Sequence, residues 1–261
     1  MRQIGRVILA SSALLLLASA AGAQGARPLA KCAAGAVVSG TVCMDRYEAS
    51  VWRVENPTTD NASLVAKIQQ GKVTHADLIE AAEPLGNGGD YGLCLEDGQA
   101  CTDIFAVSLE GVPPSANTTW FQAQQACKNS RKRLPTSAEW QAAVAGTPDA
   151  GECNTTSGLK VDAGSRSLCV SFDGAFDMVG NVREWVADWV PLSTGCGDWP
   201  SSISPNDDQC LSGASVVPTD EPGALLRGGD FNDGTAAGPF AVDARFSPSA
   251  VSFEIGFRCA R

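Results

Sequence analysis

Apolar and polar positions along the chain change period several times, and each change marks an element. Between Cys32 and Val54 the pattern alternates and turns: Val37 and Val38, a break at Gly40, then Val42-Cys-Met-Asp-Arg-Tyr-Glu48. Alternation around a turn predicts a hairpin whose second strand carries Tyr47 and Glu48. From Ala62 to Ala82, Leu64, Val65, Ile68, Val73, Leu78 and Ile79 flank a break at Gly71. They predict two short helices, the second capped within Thr74-His-Ala-Asp77. Gly86-Asn-Gly-Gly-Asp90 reads as a loop. Trp120, Ala123, Gln124 and Cys127 share one face of a helix capped by Thr118 or Thr119. Pro135 then ends an extended piece, and Thr136 with Glu139 forms a capping box for the next helix, which stops at Gly146. Val182, Trp185, Val186 and Trp189 recur at helical spacing, which predicts a short amphipathic helix from Asn181 onward. Polar loops cover 147–173 and 194–220. Leu225 to Phe231 turns a strand sharply, and Glu254 to Arg261 reads as a closing core strand. No period of roughly 20–50 residues recurs, which excludes a repeat architecture.

The start of the chain adds a compartment. Arg2 and Arg6 precede an apolar run from Val7 to Ala21, and Ala21-Gly-Ala23 follows. This pattern predicts a secretory signal peptide over 1–23, cut after Ala23, and a domain over 24–261. The run is too short for a membrane span, and no later stretch is long and apolar enough. The expected destination is therefore export, to a periplasm or the extracellular space. Against 19 basic residues stand 29 acidic ones, a formal net charge of −10. Such a surface repels phosphate backbones and excludes nucleic acid as a partner, while it suits cations. All ten cysteines lie after the cleavage signal, and an even count in an exported chain reads as five disulfides. Many pairings are open. Spacing suggests Cys32 with Cys43, Cys94 with Cys101, Cys153 with Cys169 and Cys196 with Cys210, which leaves Cys127 for Cys259.

The candidate chemistry centres on Asp177-Met-Val-Gly-Asn-Val-Arg-Glu-Trp185. Gly180 permits a tight bend between two carboxylates, and carboxylates with inward carbonyls make the oxygen cage that Ca²⁺ requires. A capped helix without metal uses the same residue types. His75 is the single histidine, which excludes a three-histidine metal centre and, unless His75 serves, a Ser-His-Asp triad. Arg131, Lys132 and Arg133 are expected to pair with local carboxylates. Asn61, Asn117 and Asn154 stand in glycosylation patterns, which matter only in a source that glycosylates.

Four blocks stand in order: Met44-Asp-Arg-Tyr-Glu-Ala-Ser50, Lys132-Arg-Leu-Pro-Thr-Ser-Ala-Glu-Trp140, Val179-Gly-Asn-Val-Arg-Glu-Trp185, and Leu226-Arg-Gly-Gly229 with Gly256-Phe-Arg-Cys-Ala-Arg261. Together they resemble the formylglycine-generating enzyme family, also called the sulfatase-modifying factor family. The resemblance covers about residues 32–261 apart from an insertion near 55–115. It implies an α+β, irregular, loop-rich variant of the C-type-lectin-like fold, with Cys127 and Cys259 as its long disulfide. It also implies structural Ca²⁺, held by the side chains of Asp177 and Glu184 and the carbonyls of Gly180 and Val182. A second site would begin at Asn154.

The oxidase members of that family hold copper between two cysteines, and soft thiolates are what Cu(I) requires. The corresponding segment here, Asp230 to Ile255, contains no cysteine, and Asp233 and Gly238 stand where the thiols are expected. Copper is therefore not expected. Arg183 replaces a tryptophan usual in the family and is expected as a charge beside the calcium loop, at the surface. The resulting expectation is an exported, calcium-stabilised binding or scaffold module. Its cleft would present Asp230, Asn232, Asp233 and Arg245 to a polar ligand, a peptide or a sugar. The alternative is a divergent oxidase that converts a sulfatase cysteine to formylglycine.

Overall fold

The computed structural model describes residues 31–261 apart from 93, 96, 150 and 205, so the signal peptide expected over 1–23 lies outside the described residues. In chain order the elements are β1 (Ala36–Ser39), β2 (Val42–Asp45), β3 (Ala49–Arg53), α1 (Ala62–Gln69), α2 (His75–Ala81), β4 (Glu83–Leu85), β5 (Ile104–Ser108), α3 (Trp120–Asn129) and α4 (Ser137–Ala143). They continue with β6 (Arg183–Val190), β7 (Gly195–Asp198), β8 (Asp208–Ser212), β9 (Gly223–Arg227), β10 (Val242–Asp243) and β11 (Ile255–Phe257). The architecture is α+β: short helices around small sheets, with long irregular connections.

The main sheet has the order β11-β6-β9-β10-β8-β7. Its longest strand is β6, next to the edge strand β11, with which it pairs in parallel, and antiparallel to β9 on its other side. Side chains of a strand alternate between two faces. Trp185 and Ala187 point into one hydrophobic cluster, with Leu226, Phe257 and Cys127. Val186 and Val190 point into the other, with Trp140, Val179 and Leu225. Where a helix is expected from Asn181 onward, the chain bends at 181–182 and then forms the strand Arg183–Val190. Its spacing misleads because Glu184, Trp185 and Val186 are buried in succession, and burial on both faces erases the period-two signal. The backbone before it also excludes a helix start, since Asp177, Gly180 and Asn181 all take positive φ, at 55°, 74° and 58°.

The N-terminal hairpin is shorter than its pattern suggested. β2 ends at Asp45, and Tyr47 and Glu48 lie in the bend before β3. The segment expected as an insertion forms a small unit of its own. α1 and α2 pack Leu64, Ile68 and Leu78 against Trp52 and Phe105 of the β4-β3-β5 sheet. Three capping boxes close helix starts at Thr74 with Asp77, Thr119 with Gln122 and Thr136 with Glu139. Each satisfies backbone donors that a helix start would otherwise leave bare.

Five disulfides join Cys32 to Cys43, Cys94 to Cys101, Cys127 to Cys259, Cys153 to Cys169 and Cys196 to Cys210. Four are local. The Cys127–Cys259 bond spans 132 residues and ties α3 to the segment after β11. Loop-closure entropy makes that bond worth about 5 kcal/mol, against about 2 for a loop as short as Cys94–Cys101. Replacing Cys127 and Cys259 together by alanine should therefore lower unfolding free energy in urea by more than replacing Cys94 and Cys101. Equal losses would contradict the loop-closure argument.

Candidate functional site

A charged residue inside a core strand demands a partner, because an unpaired buried charge is too costly to keep. Arg258 follows β11 directly and is fully buried, and Glu184 is 1% exposed. The Arg258 Nη2 stands 2.6 Å from Glu184 Oε1, and its Nε lies 2.8 Å from both carboxylate oxygens. Trp140 from α4 donates its indole N–H to Glu184 Oε2 at 2.7 Å. The remaining guanidinium donors reach backbone carbonyls of Asp45 and Arg46 on one side and Phe176 and Asp177 on the other. Burial pushes the Arg258 guanidinium down, but Glu184 more than offsets this, and the net direction is up.

Around this pair lies an excess of carboxylate. Glu48, which the sequence placed in a strand, is buried and accepts from the Asn181 amide and from the Val182 N–H at 3.1 Å. Burial, then the charges of Asp177 and Glu184, push Glu48 well above the ordinary carboxylate range. Asp177 is pushed up to about 6, chiefly by burial, against a bond from the Gly164 N–H and the charge of Arg258. Asn181 links the loops. Its side-chain oxygen accepts from Asn154 at 3.0 Å and from the Val161 N–H at 2.8 Å. A Cβ at Gly180 would collide with the Asn154 carbonyl, so only glycine fits there.

This loop is where calcium is implied. The donor chemistry fits a hard cation in two respects. Three carboxylates face one guanidinium, and Asp177 Oδ1 and Asn154 Oδ1 are buried without a hydrogen-bond partner. Glu184 fits less well. Its two oxygens already receive four donor contacts, which is a carboxylate's full acceptor capacity. Among the described residues no three His, Cys, Asp or Glu side chains are grouped to hold a metal ion, so backbone carbonyls would have to complete any shell.

A second arginine binds Asp233, one of the two residues that stand where the copper cysteines are expected. Arg183, at the start of β6, is not a surface charge: its side chain is 14% exposed. It bonds Asp230 at 2.7 Å, Asp233 at 2.6 Å and Asp243 at 3.0 Å. Asp243 also pairs with Arg245 at 2.7 Å. Burial lowers the Arg183 pKa and the aspartates more than reverse this. Asp233 is nonetheless pushed up to about 6, because burial and Asp230 outweigh Arg183. The loop from Gly228 to Gly234 wraps this cluster. Gly228 and Gly229 both have positive φ, and a Cβ on Gly228 would stand 2.7 Å from the Met178 carbonyl.

The four residues expected on a cleft floor do come together, but they do not line an open cleft. Asp230 and Asp233 are locked on Arg183, Arg245 sits half-exposed beside Asp243, and Asn232 lies near Glu254 at 3.4 Å. An open hollow of about 350 Å³ lies next to them, lined by Asn154, Thr155, Thr156, Ser157, Arg166 and Thr235. It is joined to the cluster by the Gly234 N–H, which donates to the Thr155 carbonyl at 2.8 Å. Hydroxyls and one guanidinium suit hydrogen bonds to a polar ligand. The cations beside Asp45 and Glu139 behave as expected: Lys132 pairs with the first and Arg133 with the second, both at 2.7 Å.

Comparison with known proteins bears on these features. A family model described as the Sulfatase-modifying factor enzyme 1-like domain matches residues 33–261. Serine/threonine-protein kinase pkn1 of Chlamydia pneumoniae is 30% identical over 157 residues, which is 57% of this chain and 24% of the kinase. The corresponding kinase of Chlamydia caviae is 29% identical over the same length and shares. The chain thus spans about a quarter of the length of these curated relatives. Among solved structures, the Major Tropism Determinant P3c variant superposes with a TM-score of 0.50 at 15% identity, covering 90% of this chain and 54% of that chain. PvdO from Pseudomonas aeruginosa gives 0.43 at 18% identity, covering 84% and 80%.

Glu184→Gln keeps the shape of the central pair and removes its charge. The substitution should cost roughly 3 kcal/mol or more, because it removes the one carboxylate that bonds the buried Arg258 guanidinium directly. Chemical denaturation measures it. A loss within the error of the method would show that the four carbonyls alone can hold Arg258.

Proposed function

The chain belongs to the sulfatase-modifying factor enzyme 1-like family, and from that premise we propose that it is an exported module of the family that binds a polar ligand and does not oxidise a substrate cysteine. The observation that carries this reading is the fate of the thiols. All ten cysteines are in disulfides, and no described cysteine is free. Copper(I) held between two thiolates has no ligands in such a chain. Asp233, at one of the positions where those thiols are expected, is instead tied by Arg183 into a tightly packed cluster with Asp230 and Asp243. The polar hollow beside it, with Thr155, Thr156, Ser157, Thr235 and Arg166, offers donors and acceptors suited to a peptide or a sugar. Five disulfides support export, and among the described residues no helix is long and apolar enough to cross a membrane.

The test is direct. The purified protein is incubated in air, with added copper, together with a sulfatase that retains its unmodified cysteine. Mass spectrometry should find no formylglycine, and thiol titration of the denatured, unreduced protein should find no free thiol. Formylglycine in the sulfatase would overturn the reading.

Calcium enters as a stabiliser. Asp177 Oδ1, with the carbonyls of Gly180 and Val182, would hold it, and the ion would neutralise the carboxylate excess of Glu48, Asp177 and Glu184. Binding to the folded state alone raises stability by mass action. A chelator should therefore lower Tm and millimolar calcium should restore it, while Asp177→Asn should blunt the response. A Tm insensitive to the chelator would remove calcium from the reading.

A further inference from the structure

A cavity of about 550 Å³ opens between the β1–β2 hairpin, the end of β5 and the turn after α1. It shares no residue with the polar hollow beside Arg183. Its walls are apolar, with Val38, Val42, Ile68, Val73 and Leu109 among them. Its charges run against the rest of the molecule. Lys31, Arg46, Lys132 and Arg261 line it, against Asp45 and Glu110, in a chain with a formal net charge of −10. Lys132 is committed to Asp45 at 2.7 Å. Lys31, Arg46 and Arg261 then face one remaining carboxylate, Glu110, which accepts the Tyr47 hydroxyl at 3.1 Å.

The walls are built before any ligand arrives. Cys32–Cys43 crosslinks the hairpin. Arg258 holds the carbonyls of Asp45 and Arg46. Arg261 bonds the carbonyls of Gln69, Ser130 and Arg131, which fixes the turn after α1 against the end of α3. A preformed pocket avoids the entropy of ordering its own walls on binding.

We propose that this cavity binds a small carboxylate-bearing molecule with an apolar body. The volume falls in the range of about 300–1,000 Å³ typical of small-molecule sites, which combine apolar lining with a few placed polar groups. A sugar would leave the apolar walls unfilled and its own hydroxyls unpaired. A cation would meet Lys31, Arg46 and Arg261 against the one carboxylate of Glu110. An apolar carboxylate satisfies both features, and the acidic exterior leaves this as a local basin of positive potential.

The test uses two dyes with the same aromatic body on the full exported chain: anionic 8-anilinonaphthalene-1-sulfonate and neutral N-phenyl-1-naphthylamine. The anionic dye should bind saturably at one site, and decanoate should displace it. Lys31→Ala combined with Arg46→Ala should weaken the anionic dye about tenfold and leave the neutral dye unchanged. Ala34→Trp, at an exposed position on the cavity wall, should weaken both. Near-UV circular dichroism confirms that each variant keeps the native fold. Absence of saturable binding, full binding in Ala34→Trp, or equal weakening of both dyes by the charge variant would each overturn the proposal.

Discussion

One buried ion pair holds the molecule together. Arg258 and Glu184 meet with almost no solvent contact, and the guanidinium extends to carbonyls in two further segments. Through that one cation the closing segment, strand β6 of the main sheet, the bend after β2 and the loop before β6 are fixed to each other. Trp140 adds α4 through the same carboxylate. A buried pair is a poor source of net stability, since desolvation offsets much of the attraction. Its value here is specificity. A guanidinium with every donor satisfied tolerates only one arrangement of the segments around it.

The same device recurs at Arg183, and it gives the site its character. Its guanidinium gathers Asp230, Asp233 and Asp243. The aspartates are held by Arg183, and Asp243 also by Arg245, in a buried ion-pair network. The adjacent polar hollow remains open. Carboxylates left over around Glu48 and Asp177 have the opposite problem. Their charge exceeds that of Arg258, and burial raises their pKa values, which is the observation behind the proposed calcium.

Much of this was legible from local rules. Thr74, Thr119 and Thr136 announce helix starts because capping depends on residues three apart. Gly180 announces a bend that no other residue could make. The motif blocks around Trp140, Trp185 and Arg258 point to the family and its α+β, loop-rich fold. Other residues carried a signal that periodicity does not weigh. Glu48 and Arg258 are charges set among core residues, and each implies a buried partner without saying which. Arg183 was misjudged for this reason: its neighbours in sequence give no hint of Asp230, Asp233 and Asp243, which lie 47 to 60 residues away.

The sequence by itself determined the helix caps, the tight turns, the cysteine count and the acidic balance, because each depends on residues close together or on composition alone. Only the tertiary structure decided that the apolar stretch after Asn181 is a strand, Arg183–Val190, and not a helix. Helical spacing and two-sided burial place apolar residues alike, and pairing with β9 and β11 settles between them. Only the tertiary structure brought Arg258 to Glu184 and Arg183 to its aspartates. Those contacts are long-range, and a charge acquires its partner from the fold, through distance and burial, rather than from its place in the chain.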